Sequence, residues 1–269
     1  EGAKDTPRAA SGPAANLAGD GVALTYEGES RLQNVRQLTA GGENAEAYWA
    51  FDGSQLIYQA KKPGAECDQI FLLDPHTAET HMVSTGEGRT TCSYFYPSGD
   101  EILYSSTHHH DASCPPNPDM SMGYVWPIYK TYDVFVANAD GTNPRQLTTE
   151  DGYDAEATFS PQGDRIVFTS DRNGDLDLYS MNPDGSDVVQ LTDRLGYDGG
   201  AFYSPDGSKI IWRAHYPEEG SAEAEDYVRL LEQGLLRPGE LEVYVMDADG
   251  SNVRQVTDVG GANFAPYWH

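Results

Sequence analysis

Three consecutive histidines, His108, His109 and His110, followed at once by Asp111, are the most conspicuous chemistry-bearing run in the chain. Neighbouring residues on a strand or loop point in different directions, so the run does not chelate as a unit, and a metal would use one ring together with Asp111 or another carboxylate. Asp171-x-Asn173-x-Asp175-x-Asp177 has the alternating oxygens of a calcium loop, but it lacks the closing Glu, and its Gly174 falls two residues early. Three cysteines, Cys67, Cys92 and Cys114, form no Cys-x-x-Cys pair, which argues against a zinc ribbon or a thioredoxin-like site. No Gly-x-Ser-x-Gly elbow, phosphate loop or dinucleotide fingerprint occurs. The other candidates are oxygen-bearing: Asn44, Glu46, Tyr153, Asp154, Glu156, Tyr197, Asp198 and Asn263. Which of these meet depends on the elements that carry them.

Those elements repeat. A first turn recurs as Phe51-Asp52-Gly53, Pro97-Ser98-Gly99, Pro161-Gln162-Gly163 and Pro205-Asp206-Gly207, with glycine spacings of 46, 64 and 44. A second recurs as Asn138-Ala139-Asp140-Gly141, Asn182-Pro183-Asp184-Gly185 and Asp247-Ala248-Asp249-Gly250, with Asp74-Pro75-His76-Thr77 as a degenerate copy. Asp-Gly between apolar runs is a hairpin signal, because glycine accepts the positive φ of tight turns. Runs such as Ile166-Val167-Phe168-Thr169 lie between the turns, and outgoing strands close each unit, as at Arg145 to Thr148 and Val188 to Thr192. Four short strands in about 45 residues make a propeller blade.

The run from Phe159 to Tyr179, Phe-Ser-Pro-Gln-Gly-Asp-Arg-Ile-Val-Phe-Thr-Ser-Asp-Arg-Asn-Gly-Asp-Leu-Asp-Leu-Tyr, resembles the repeat of TolB-like, WD40-like (PD40) propellers, and the likeness extends over residues 33 to 269. It implies an all-β propeller of four-stranded blades at 45–85, 90–148, 153–192 and 197–257, with the start of another at 261–269. Residues 31–39 are expected as a closing strand and residues 1–30 as a flexible leader, 21–27 being an alternative closing strand. The resemblance implies six blades, and completing the ring would take roughly 75 further residues at this repeat length. The chain is therefore expected to be a fragment, or the ordered part, of a longer protein.

In such a fold the d-to-a and b-to-c connections share one face of the disc, and the glycine turns occupy the other. Both long insertions are b-to-c loops, His108 to Thr131 and Ala214 to Glu240, so the irregular sequence falls on one face. The second insertion predicts a helix over Ala222–Gln233, with Ala224, Tyr227, Val228 and Leu231 at helical spacing and Gly234 as its stop. Partner-contacting candidates are His108, His110, Met120, Tyr124, Trp126, Tyr129, Tyr227 and Leu231. The d-to-a residues Asn44, Glu46, Tyr153, Asp154, Glu156, Tyr197, Asp198 and Asn263 are placed at the channel mouth. There Asp154, Glu156 and Asp198 are the metal candidates, and Ca²⁺ is the cation such oxygens attract. The three cysteines fall on this face in adjacent blades, and a bridge from Cys92 to Cys114 or to Cys67 is expected, leaving one thiol over.

With 17 Lys and Arg against 43 Asp and Glu, the net charge is -26, which repels nucleic acid and anionic lipid. No stretch of 18 apolar residues exists to span a bilayer. These readings converge on a non-catalytic periplasmic or cell-surface propeller with no required cofactor. It would bind a protein partner, as an accessory or scaffolding subunit of an envelope complex, through the insertion-bearing face. The alternative is a metal-dependent carbohydrate-active lyase or hydrolase with its site at the channel mouth.

Overall fold

The computed structural model describes residues 28, 30, 31 and 35–268; the expected leader and the alternative strand at 21–27 lie almost wholly outside the described residues. The first blade comprises β1 (Glu43–Trp49), β2 (Leu56–Lys61), β3 (Gln69–Leu73) and β4 (Thr80–Met82). The second begins with β5 (Thr90–Phe95) and β6 (Glu101–Ser106), is interrupted by an insertion carrying a 3₁₀ turn, Met120–Met122, and β7 (Trp126–Pro127), and ends with β8 (Asp133–Asn138) and β9 (Arg145–Gln146). The third is β10 (Asp154–Phe159), β11 (Ile166–Ser170), β12 (Asp177–Met181) and β13 (Val189–Gln190). The fourth has β14 (Tyr197–Tyr203) and β15 (Lys209–His215), then an insertion with α1 (Ala222–Glu232) and β16 (Leu235–Leu236), then β17 (Glu242–Asp247) and β18 (Arg254–Gln255). Each blade is a four-stranded antiparallel sheet in sequence order.

Blades stack face to face, so their central strands are covered on both sides and read as continuous apolar runs. Every residue of Ile166–Ser170 and Asp177–Met181 is buried. The outer strands are two or three residues long, which keeps the exposed edges short. A hydroxyl joins each outer strand to its neighbour: the amides of Ile70, Val134, Leu178 and Val243 donate to Ser84, Thr148, Thr192 and Thr257 at 2.8–3.0 Å. The threonines that end the sequence repeat are thus latches, each filling a backbone valence where the ladder stops.

One boundary differs from the sequence reading. Residues 35–40 are in no sheet, because every blade already carries its own outer strand; Leu38 instead packs on Leu56, Tyr58 and Leu73. At the other end, Ala262 bridges Leu241 in parallel as Tyr197 bridges Leu176, and the Asn263 amide donates to Leu241 O at 2.8 Å as that of Asp198 does to Leu176 O. Residues 262–268 therefore lie on the fourth blade where the first strand of a following blade would lie, with Trp268 Nε1 donating to Phe202 O at 3.1 Å.

The two insertions meet over the third blade. β7 and β16 pair antiparallel, Leu235 opposite Pro127 and Leu236 opposite Trp126. The helix starts on Ser221, whose Oγ accepts from the Ala224 amide at 3.1 Å, and stops before Gly234 at φ 70°. Tyr227 and Leu231, expected to contact a partner, are buried instead. Tyr227 donates to Asp175 and, at 2.7 Å, to Gly196 O, while Leu231 joins a cluster with Ile128, Leu236 and Leu241. The helix spends its apolar stripe on its own propeller.

Candidate functional site

The inner strands β1, β5, β10 and β14 share one irregularity. Pairing register breaks between Ala45 and Tyr48, Thr91 and Tyr94, Ala155 and Thr158, and Gly199 and Phe202. At each break one residue has positive φ: Glu46 (51°), Cys92 (46°), Glu156 (58°) and Gly200 (60°), with Ala265 (48°) equivalent in the last segment. Such a bulge re-aims a side chain. Here it turns Glu46, Cys92 and Glu156 into a cavity of about 510 Å³ at the channel mouth, beneath the paired insertions. Farther along the axis the rings of Tyr48, Tyr94 and Phe202, from three blades, meet at 5.4–5.9 Å, with Tyr267 5.2 Å from Phe202. This cluster closes the axis on the turn side.

The floor is a buried ion pair. Arg213, on β15, lies against Gly200, where any Cβ would collide with its guanidinium. Its Nη2 donates to Glu156 Oε2 at 2.8 Å and to Tyr197 OH at 2.9 Å. Tyr197 and Tyr153 both donate to Glu156 Oε1, at 2.9 and 3.2 Å. The rings of Trp126, Tyr197 and Phe264 surround the guanidinium at 5.7–5.8 Å. On the wall, Arg89 Nη1 donates to Asp68 Oδ2 at 2.8 Å and its guanidinium sits 5.6 Å from the Tyr129 ring. Gln59 Oε1 accepts from Thr91 Oγ1 at 2.8 Å and from the Cys92 amide at 3.3 Å. Burial, reinforced by Glu46 and Glu156, pushes the Cys92 thiol well above its ordinary value, so it stays protonated. At the rim Tyr124 is 67% exposed, and its hydroxyl accepts from Trp126 Nε1 at 3.0 Å.

Of the expected channel-mouth residues, Asn44, Glu46, Tyr153, Glu156 and Tyr197 line the cavity. Asp154, Asp198 and Asn263 do not. Asp154 pairs with Arg172 at 3.0 Å, Asp198 accepts from Trp212 Nε1 at 2.6 Å and from Tyr216, and the Asn263 side chain donates to Leu241 O at 2.9 Å. Simple alternation puts Asp154 and Glu156 on one side, and the bulge separates them. The expected metal trio Asp154, Glu156 and Asp198 is thus not brought together, and among the described residues no three His, Cys, Asp or Glu side chains converge as metal ligands would. The calcium-like loop is consumed internally: Asn173 donates to Asp177, Asp175 accepts from the Gly196 amide, and Asp171 accepts from that of Tyr153.

The expected cysteine pairing is also corrected. The disulfide joins Cys67 to Cys114, whose Cα atoms are 5.6 Å apart, and Cys92 is the free thiol. The reading had Cys92 in a loop, whereas the bulge of β5 faces it into the channel. Of the three histidines His108 packs, its ring 4.4 Å from that of Phe135 with Nδ1 2.7 Å from Ser106 Oγ, while His109 and His110 are exposed, His110 Nε2 lying 3.6 Å from Asp133 Oδ2. His108 occupies the place that Arg172 holds in the third blade, over Phe168 and Tyr179. Tyr129 donates to Pro116 O at 3.0 Å and, with Trp126, lines the cavity. Met120 opens the 3₁₀ turn and is described by its backbone alone.

Arg89, Arg213, Gly200 and Tyr132 had no site role in the sequence analysis. The signal was present. Glu46, Cys92, Glu156 and Gly200 each stand seven residues before a turn glycine, Gly53, Gly99, Gly163 and Gly207.

Four radial four-stranded blades around an aromatic-plugged axis give the chain a β-propeller fold like that of TolB proteins. Residues 128–226 match the family model of the TolB beta propeller domain, PD40. Among solved structures, the chain is similar to a putative TolB from Agrobacterium tumefaciens, with 21% identity over 83% of this chain and 69% of that one and a TM-score of 0.62. It is similar to TolB from Acinetobacter baumannii at 20% identity, covering 80% of this chain and 44% of that one, with a TM-score of 0.58. An oligogalacturonate lyase in complex with manganese shares the fold at 14% identity, over 82% and 55% of the two chains, with a TM-score of 0.50. Likeness at these identities establishes the fold, and a fold carried by such different proteins does not choose between binding and catalysis.

Proposed function

We propose that this chain is an extracytoplasmic binding propeller that engages a protein partner through the face bearing the two insertions. The observation that carries the reading is the cavity of about 510 Å³ on that face, walled by Trp126, Tyr129, Tyr132 and Tyr153 and rimmed by the exposed Tyr124. Concave aromatic pockets beside irregular loops are where binding energy concentrates. The Cys67–Cys114 bridge supports an oxidising compartment. Several reactive groups of the cavity are committed to one another: Glu156 is held by Arg213, Tyr153 and Tyr197, Arg89 is held by Asp68, and Cys92 is a neutral thiol, which supports binding at this wall. Among the described residues, no helix is long and apolar enough to cross a membrane.

The test is site-specific photo-crosslinking in extracytoplasmic extract of the source cell. A crosslinker at position 124 is expected to capture a partner that one at position 184, on the opposite turn face, does not, and Tyr124→Ala is expected to reduce recovery with other probes on the same face. Equal capture at both positions would defeat the proposal. Point variants are preferable to deleting the loop, because Val125 and Ile128 are core residues.

A further inference from the structure

We propose that the cavity admits a protonated amine or guanidinium, presented by a lysine or arginine side chain of an extended peptide; this rests on the reading that the face binds a protein. The cavity lining holds four carboxylates, Glu43, Glu46, Asp68 and Glu156, against two cations, Arg89 and Arg213. Each guanidinium already holds a carboxylate on a terminal nitrogen, Arg89 that of Asp68 and Arg213 that of Glu156, at 2.8 Å, while the Nε of each is buried without a partner among the described residues. Among the described residues no cation pairs with Glu43 or Glu46, and the Glu46 carboxylate takes one hydrogen bond, from the Tyr48 hydroxyl at 2.6 Å. An arriving anion would meet the unpaired carboxylates Glu43 and Glu46 and lie beside two more, Asp68 and Glu156, so like charges oppose it. An arriving cation meets unneutralised acceptors.

An independent observation concerns Tyr132. Its side chain is 4% exposed and lines the cavity, and its hydroxyl has no hydrogen-bond partner among the described residues. The hydroxyl keeps its accessibility on the cavity side, where its oxygen can accept from a ligand donor. The walls suit the same guest. Aromatic rings here already hold cations, Arg89 against Tyr129 and Arg213 among Trp126, Tyr197 and Phe264, while the Tyr124 ring at the rim is exposed. With no three metal-ligand side chains converging among the described residues, the site fits an organic cation that can hydrogen-bond and pack on aromatic rings better than a hard metal ion. A field from a chain of net charge -26 draws such a group in.

The probe is the blocked tripeptide acetyl-Gly-Lys-Gly-amide, titrated calorimetrically into the full chain beside its Arg, norleucine and Glu counterparts. Lys and Arg peptides are expected to bind saturably, one per chain, with norleucine and Glu at least about tenfold weaker, the scale of one charge-assisted hydrogen bond. Glu46→Gln and Tyr132→Phe are each expected to weaken the Lys peptide by about five- to tenfold with melting temperature preserved. Norleucine binding as well as Lys, or no saturable binding of Lys and Arg peptides, would overturn the proposal. A preference for the Glu peptide would also overturn it, while leaving the face as a binding surface. Failure of that broader reading shows separately, as crosslinking indifferent to position 124.

Discussion

Asp198 shows how far one residue's chemistry is set by its seat. It is fully buried, and burial raises its carboxyl to about 8 despite donors from Tyr216 and Trp212. A carboxyl whose folded value lies above the unfolded value of about 3.9 binds protons more tightly in the native state. Its contribution to stability is therefore complete below about pH 4 and is lost as pH rises through 8. Asp198→Asn keeps an acceptor for both donors and removes the titration, so urea midpoints of the variant are expected to change less between pH 5 and pH 8 than those of the parent. Equal changes would remove Asp198 from the account. Gly200 makes the converse point. Equivalent bulges tolerate Glu46, Cys92 and Glu156 at positive φ, at a backbone cost of about 1–2 kcal/mol each. Gly200→Ala adds a collision with Arg213, and a loss of roughly 3 kcal/mol or more is expected from denaturant unfolding. In an Arg213→Ala background the same change should cost only the backbone share.

At the scale of elements, the insertion of the second blade is a strap fixed at both ends. The Cys67–Cys114 bridge, closing 47 residues, ties its first part to the first blade, and β7 on β16 ties its last part to the fourth-blade insertion. Removing the bridge by paired Cys67→Ser and Cys114→Ser changes is expected to cost about 2–4 kcal/mol. It should also speed labelling of Cys92, which the strap covers, by a small maleimide; unchanged labelling would show that the other contacts hold the roof alone. The blades and the helix were legible in sequence because each rests on local signals: Gly at turns, period-two runs, and the stripe that ends at Gly234. The inward turn at Glu46, Cys92 and Glu156 was not. A bulge adds one residue to one strand without changing composition, so alternation grouped Asp154 with Glu156 and left Cys92 in a loop. The latches were visible as repeated Thr148, Thr192 and Thr257, but their bonds to the next strand depend on where pairing stops.

For the molecule as a whole, charge sets two responses to salt that have opposite signs. Even with every one of its 17 Lys and Arg paired, 26 carboxylates would remain unmatched, so folding confines like charge in a small volume. Added salt screens exposed charges beyond about 10 Å at 0.1 M, whereas the Arg213–Glu156 and Arg89–Asp68 pairs are largely shielded from solvent and keep most of their attraction. Melting temperature is therefore expected to rise between 20 and about 300 mM NaCl, most steeply at the low end. Over the same range, recruitment of a cationic peptide to the cavity mouth must weaken, because the field that attracts it is the one being screened. A protein whose melting temperature fell with salt would be governed by its surface ion pairs instead. In that case the acid surplus would have too little reach to steer a partner toward the insertion face.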